Sequence, residues 1–163
     1  MKYLKYFLFS GLLLLASSYT TRTSEISEGI SPGNLSPDFK LENNLGQQVS
    51  LRQLRGVKVL VNFWAAYDAG SRMKNVQLWN ALKKEGQEVI MLSISFDKSK
   101  SVFKRTLLVD GIEGGNQYVD TSGSESEIFK MYRLEKGFKN YLIDEKGVII
   151  AKDVTVENLK TLL

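Results

Sequence analysis

Two apolar runs of strand length, Val57–Trp64 and Glu88–Ser95, constrain this chain more than any other feature. Their apolar residues are nearly continuous instead of alternating. Strands of that kind are covered on both faces and sit in sheets flanked by helices. The rest of the chain fits such a sheet. A turn at Tyr67–Gly70 leads into a helix expected over Ser71–Lys84 and closed by Gly86. Asp97 or Ser99 caps a second helix, in which Val102, Phe103, Leu107 and Val109 recur near helical spacing. Tyr118–Val119 reads as a short strand. Ser124-Glu125-Ser126-Glu127 reads as a capping box opening a helix with Ile128, Phe129 and Tyr132. Tyr141–Ile143 and Val148–Ala151 flank the hairpin signal Asp144-Glu145-Lys146-Gly147, and Val156, Leu159 and Leu162 mark a last short helix. Upstream, Phe39–Leu41 and Val49–Leu51 flank an Asn43-Asn44-Leu45-Gly46 turn. The expected class is α/β, with a central mixed β-sheet flanked by helices and an N-terminal β-hairpin.

The N-terminus has a different character. Lys2 and Lys5 precede an apolar run from Phe7 to Leu15, and Ala16, Ser17 and Ser18 supply small residues before the chain turns polar. Residues 1–18 are expected to be a signal peptide cleaved near Ser18, because the run is too short for a permanent membrane span. A flexible leader is expected over 19–35 and one domain over 36–163. The protein is then exported, to a bacterial periplasm or another extracytoplasmic space.

Absences narrow the chemistry. The chain has no cysteine and no histidine. That removes the thiolate nucleophile, the commonest general base near neutral pH and the usual zinc, copper and haem ligands. No metal site and no cofactor are expected. Asp120-Thr121-Ser122-Gly123-Ser124-Glu125 lacks the acidic spacing of a calcium loop and reads as a turn. Formal net charge is +4, half of it from Lys2 and Lys5, and the basic residues look scattered. A nucleic-acid face needs clustered charge, so none is expected. A lipid anchor is not expected either, since no cysteine exists to carry it.

The segment Val61-Asn62-Phe63-Trp64-Ala65-Ala66-Tyr67-Asp68-Ala69-Gly70-Ser71-Arg72 resembles the active-site loop of the TlpA-like thioredoxin family, within the wider redoxin superfamily. The family pattern there is V-N-F-W-A-(T/S)-W-C-x-P-C-R. Pro37-Asp38-Phe39-Lys40-Leu41, Gly46 to Leu51, and Tyr141-Leu142-Ile143-Asp144 with Gly147 resemble other family blocks, in the same order. The resemblance implies a thioredoxin-like fold across most of the chain.

It also shows where this chain departs. Asp68 stands at the attacking-cysteine position and Ser71 at the resolving one. Gly70 replaces the proline between them, Lys74 a common glutamate, Val76 a helix-kinking proline, and Phe138 the cis-proline. Disulfide exchange needs a thiolate and passes through a mixed disulfide, which neither Asp68 nor Ser71 can form. The expected protein is therefore a redox-inactive binding or accessory module. Its groove, by the resemblance, comprises Trp64, Tyr67, Asp68, Ala69, Gly70 and Phe138, and its partner is a protein or extended peptide. Asp68 is expected to cap the first helix, where unpaired amides favour a carboxylate. Trp64 and Phe138 are read either as groove or as plain packing residues. The alternative is an enzyme with a non-cysteine activity through Asp68, Ser71 and Lys74.

Overall fold

Residue-by-residue alternation along the buried strands decides which side chains share a layer. The computed structural model describes residues 26–42, 48–85 and 89–163. A small antiparallel sheet pairs β1 (Lys40–Glu42) with β2 (Gln48–Ser50). The main sheet contains β3 (Lys58–Trp64), β4 (Val89–Ser95), β5 (Gln117–Val119), β6 (Asn140–Ile143) and β7 (Ile149–Lys152), in the order β5-β4-β3-β6-β7. β3, β4 and β5 run parallel, while β6 lies antiparallel to both β3 and β7. The mixed sheet and the N-terminal hairpin strands are those the sequence predicts. The turn expected at 43–46 falls outside the described residues.

Val59, Val61 and Phe63 share one cluster with Leu92, Ile94, Phe96, Tyr141 and Ile143. Leu60, Met91 and Leu142 face the other way, onto Leu78 and Leu159. Period-two alternation in central strands thus fills two cores at once. Leu78 belongs to α1 (Ala69–Glu85) and Leu159 to α4 (Val156–Leu162), so these helices cover the second face. The first face is closed by α3 (Glu127–Met131) and by Phe39, Leu41 and Leu51.

The helix starts correct the sequence reading in two places and settle a choice between two caps in a third. α1 begins at Ala69, earlier than the expected Ser71, and the expected stop at Gly86 lies outside the described residues. α2 (Lys100–Val109) is capped by Ser99, whose Oγ accepts from Val102 N, so Asp97 is left for another task. α3 is capped by Ser126, not Ser124: its Oγ accepts from Ile128 N and Phe129 N. Ser124 is instead held in a 3-10 turn, Gly123–Glu125. That turn follows the bend where Asp120 Oδ1 accepts from Ser122 N at 3.0 Å, and the helix cannot start until the turn ends.

The segment expected as a flexible leader is also tied in where it is described. Gly33 N donates to Ile149 O at 2.8 Å, Ile149 N to Asn34 O at 2.9 Å, and Ser36 N to Gly147 O at 2.9 Å. Leu35 bridges Val148. Chain contacts therefore begin before Pro37, because backbone groups at 33–36 find partners along the C-terminal hairpin. Tyr132, buried under this segment, donates its hydroxyl to Pro37 O at 2.8 Å. Burial raises the pKa of that hydroxyl far above its usual range. The signal-peptide residues lie outside the described residues. Among the described residues, no helix is long and apolar enough to cross a membrane.

Candidate functional site

The site is the corner where β3 ends and α1 begins. Trp64 closes the strand with no exposed surface and packs on Phe103 of α2, ring centroids 6.1 Å apart. It is a core residue, which removes it from the expected groove: strand alternation turns it inward, as it turns Leu60. Ala65 is equally buried, and Asp68 N donates back to Ala65 O at 3.1 Å, making a tight turn.

Asp68 is the N-cap of α1. Its Oδ1 accepts from Ser71 N at 2.7 Å, and its backbone oxygen accepts from Arg72 N at 3.0 Å. An exchange cysteine would need its sulfur free at this point; here a carboxylate occupies the helix's unpaired amides. Ser71 is similarly engaged. It is 9% exposed, and its Oγ donates to Asp68 O at 3.2 Å and accepts from Ala65 N at 3.4 Å. No hydrogen bond joins Ser71 to Lys74 among the described residues; the Ser71 hydroxyl is engaged by backbone groups instead. Replacing Asp68 by Ala is expected to lower stability by about 0.5–2 kcal/mol, and by Asn by only a few tenths, because Asn still caps. Chemical denaturation measures both, and equal losses would refute the cap.

Below the corner, the buried network built on Asn75 is made of neutral groups. Asn75 of α1 is fully buried, and its Oδ1 accepts from Asn62 Nδ2 at 2.9 Å and from Ser93 Oγ at 2.7 Å. Its Nδ2 has no partner among the described residues. Amides and hydroxyls of this kind do not ionise near neutral pH, so nothing in this network serves as acid or base. A buried carboxylate also braces the loop: Asp97, 4% exposed. Both its oxygens lie 3.0 Å from Ala66 N, and Ser95 Oγ donates to Oδ2 at 2.6 Å. Sequence reasoning offered this residue as one of two candidate caps for α2. Its actual task is to hold the 65–67 backbone, and only the strand-end position of Ser95-Phe96-Asp97 hinted at that.

On the outer side, the structure brings Tyr67 and Phe138 together. Tyr67 is 72% exposed, with its ring 6.3 Å from Phe138. Phe138 is half-buried and stacks on Phe96 at 6.2 Å, with Phe129 edge-on at 6.1 Å. A continuous aromatic column thus runs from solvent into the first core. Partial burial, with the carboxylates of Asp97 and Asp68 nearby, raises the pKa of the Tyr67 phenol, so it stays a neutral donor. Ala69 and Gly70 are exposed at the helix start, and Lys74 lies farther along α1. Arg72 turns away from the corner: its guanidinium grips Asp110, with Nε donating to Oδ2 at 2.8 Å and Nη2 to Oδ1. Among the described residues, no cluster of acidic side chains could hold a metal ion.

Comparisons with known proteins agree with this geometry. The Redoxin family profile matches residues 31–162. A thioredoxin-like protein from Parabacteroides distasonis ATCC 8503 has a solved structure that matches with a TM-score of 0.73 and 42% identity, covering 85% of this chain and 98% of that one. A thiol-disulfide oxidoreductase from Bacteroides fragilis NCTC 9343 matches with a TM-score of 0.69 and 28% identity, over 80% of this chain and all of that one. The thioredoxin-like protein YneN of Bacillus subtilis (strain 168) is 27% identical over 153 residues, 90% of this chain and 88% of that protein. The resemblance to TlpA-like thioredoxins thus holds.

Proposed function

Since the chain belongs to the Redoxin family and contains no cysteine, we propose that it is a redox-inactive, thioredoxin-fold binding or accessory module. It is exported to an extracytoplasmic space by a signal peptide cleaved near Ser18. It binds a protein or extended peptide at the corner formed by Tyr67, Asp68, Ala69, Gly70 and Phe138. The observation that carries this reading is the Asp68 carboxylate bound to Ser71 N at 2.7 Å, beside an exposed Tyr67 ring resting on Phe138. The corner is filled where a sulfur would act, yet it still presents an aromatic surface with a hydrogen-bonding tip. Such surfaces recur at protein interfaces.

Two measurements test it. Purified protein with dithiothreitol is expected to reduce insulin no faster than dithiothreitol alone, because no mixed disulfide can form. Turnover surviving removal of contaminating thioredoxins would end the redox-inactive reading. A photo-reactive side chain placed at Tyr67 or Phe138 in cells is expected to give a discrete adduct with one partner, which then rebinds the purified protein. Absence of any adduct at both positions would end the binding reading.

A further inference from the structure

The main sheet ends on β5, and the outer edge of that strand is open. Ser93 N donates to Asn116 O at 2.9 Å, and Asp120 N to Ser95 O at 2.8 Å. In this parallel register the main-chain groups of Tyr118 face β4, and those of Gln117 and Val119 turn away from it. Among the described residues, nothing hydrogen-bonds those outward groups. The other end of the sheet differs, since Gly33, Asn34 and Ser36 bond along the C-terminal hairpin. Gln117 has spare capacity in its side chain as well. Its Nε2 and Oε1 are both buried without a partner among the described residues.

This edge walls an open slot of about 280 Å³, and β1 walls it on another side. Leu51 N donates to Phe39 O at 3.2 Å. Antiparallel alternation then turns the main-chain groups of Leu41 toward β2 and those of Lys40 and Glu42 away from it. Buried Leu41, Tyr118 and Ile128 give the slot an apolar backing. Among its other lining residues, Lys40 and Lys100 are matched by Glu42 and Asp120. Net charge therefore selects nothing here. What the slot offers is open strand edges beside an apolar backing.

We infer that the slot receives an extended peptide segment, which adds to the main sheet as a strand beside β5. Its backbone takes up the N–H and C=O groups of Gln117 and Val119, which an extended chain matches at every second residue. The residue opposite Tyr118 directs its side chain to that residue's face of the sheet, toward Leu41 and Ile128, and its neighbours point the other way. That position favours Val, Ile or an aromatic residue. A second copy of this chain suits the slot poorly, because its own β5 is recessed beside its own β1. Balanced charge gives nucleic acid and anionic lipid nothing to hold. The slot shares no lining residue with the corner at Asp68, and the inference does not rest on the reading given for that corner.

The test pans a displayed library of random linear peptides on the whole protein. Resynthesised binders are then followed by fluorescence anisotropy and amide hydrogen exchange. Binders are expected to carry β-branched or aromatic residues at alternate positions. They are expected to slow exchange of the Gln117 and Val119 amides about tenfold or more, since these N–H groups have no partner in the free protein. N-methyl scanning along the peptide is expected to weaken binding about tenfold at alternate residues, those whose amides face β5. Val119→Pro removes an N–H that the pairing with β4 does not use, so the domain is expected to keep its melting curve and lose binding. Should that variant fail to fold, the N-methyl scan and the exchange data decide on the unaltered protein. No binders, binders indifferent to N-methylation or to a folded Val119→Pro, or unchanged exchange at Gln117 and Val119 would overturn the inference. Reversible dimers in sedimentation that Val119→Pro dissociates, with no peptide selected, would overturn it in favour of a second copy. Peptides lost on Tyr67→Ala but retained by Val119→Pro would overturn this inference alone and leave the corner reading standing. Peptides that protect β5, with no adduct at Tyr67 or Phe138, would uphold this inference and end the corner reading alone.

Discussion

Replacing Asp97 with alanine is expected to cost the domain about 3 kcal/mol and lower its melting temperature by about 10 °C. The carboxylate accepts from Ala66 N with both oxygens and from Ser95 Oγ, all beneath the β3–α1 corner. Alanine leaves that amide and that hydroxyl without an acceptor in a site water reaches poorly. Each orphaned group costs about 1–3 kcal/mol, and the small void adds to it. Asp97→Asn keeps one acceptor oxygen but turns an NH2 toward two donors, so about half the loss is expected. Urea denaturation with unchanged slope reads both values. If Asp97→Ala left stability unchanged while abolishing partner binding, the carboxylate would be a recognition group held at a structural cost instead of a brace for the loop.

Asp68→Cys combined with Ser71→Cys is expected to form an intramolecular disulfide in nearly every molecule under mild oxidation. The two positions are one helical turn apart and already bonded: the Ser71 backbone N donates to Asp68 Oδ1 at 2.7 Å. Residues so spaced hold their Cβ atoms about 5–6 Å apart, near enough for a disulfide after a small adjustment. Loss of free thiol titre together with the corresponding fall in mass gives the readout. Insulin reduction by this variant is nonetheless expected to stay well below that of a working thioredoxin. Phe138 still covers the flank where the family places its cis-proline, and the Asn62–Asn75–Ser93 network beneath has no group to take up a proton. Failure of the disulfide to close would mean that residues 68 and 71 are not the aligned pair.

The parts of the fold that were legible are those where one physical effect dominates. β3 and β4 are covered on both faces, so their apolar runs announce them without competition. Asp68 was legible because a carboxylate ahead of a helix has one favourable use. α1 was harder to place. Its inward positions include Ser71 and Asn75, both buried, while Met73 stands 61% exposed, so polarity does not mark the inward face. The Oδ1 of Asn75 accepts from side chains of two different strands, a relation that no local pattern records. The start of α3 was misplaced for a related reason: serines at 122, 124 and 126 compete to cap, and the turn set by Asp120 decides among them. Trp64 was ambiguous because an aromatic residue beside an active-site loop suits packing and binding alike; only strand direction resolves it. Asp97 was invisible as a brace because the amide it holds lies far away in sequence.

The N-terminal strip laid along the hairpin has a further meaning for the life of the protein outside the fold. Hydrogen bonds from Gly33, Asn34 and Ser36 occupy the outer rim of the main sheet around Gly147 and Ile149. An unoccupied rim is a template on which another copy of the chain can add its own strand, and such additions propagate. A proteolytic cut just before Pro37 would leave the second apolar core intact, remove only Ile30 from the edge of the first, and strip that cover. The product would be a soluble-looking domain prone to end-to-end association. Where the chain is trimmed therefore matters for its solubility, quite apart from anything that happens at Asp68.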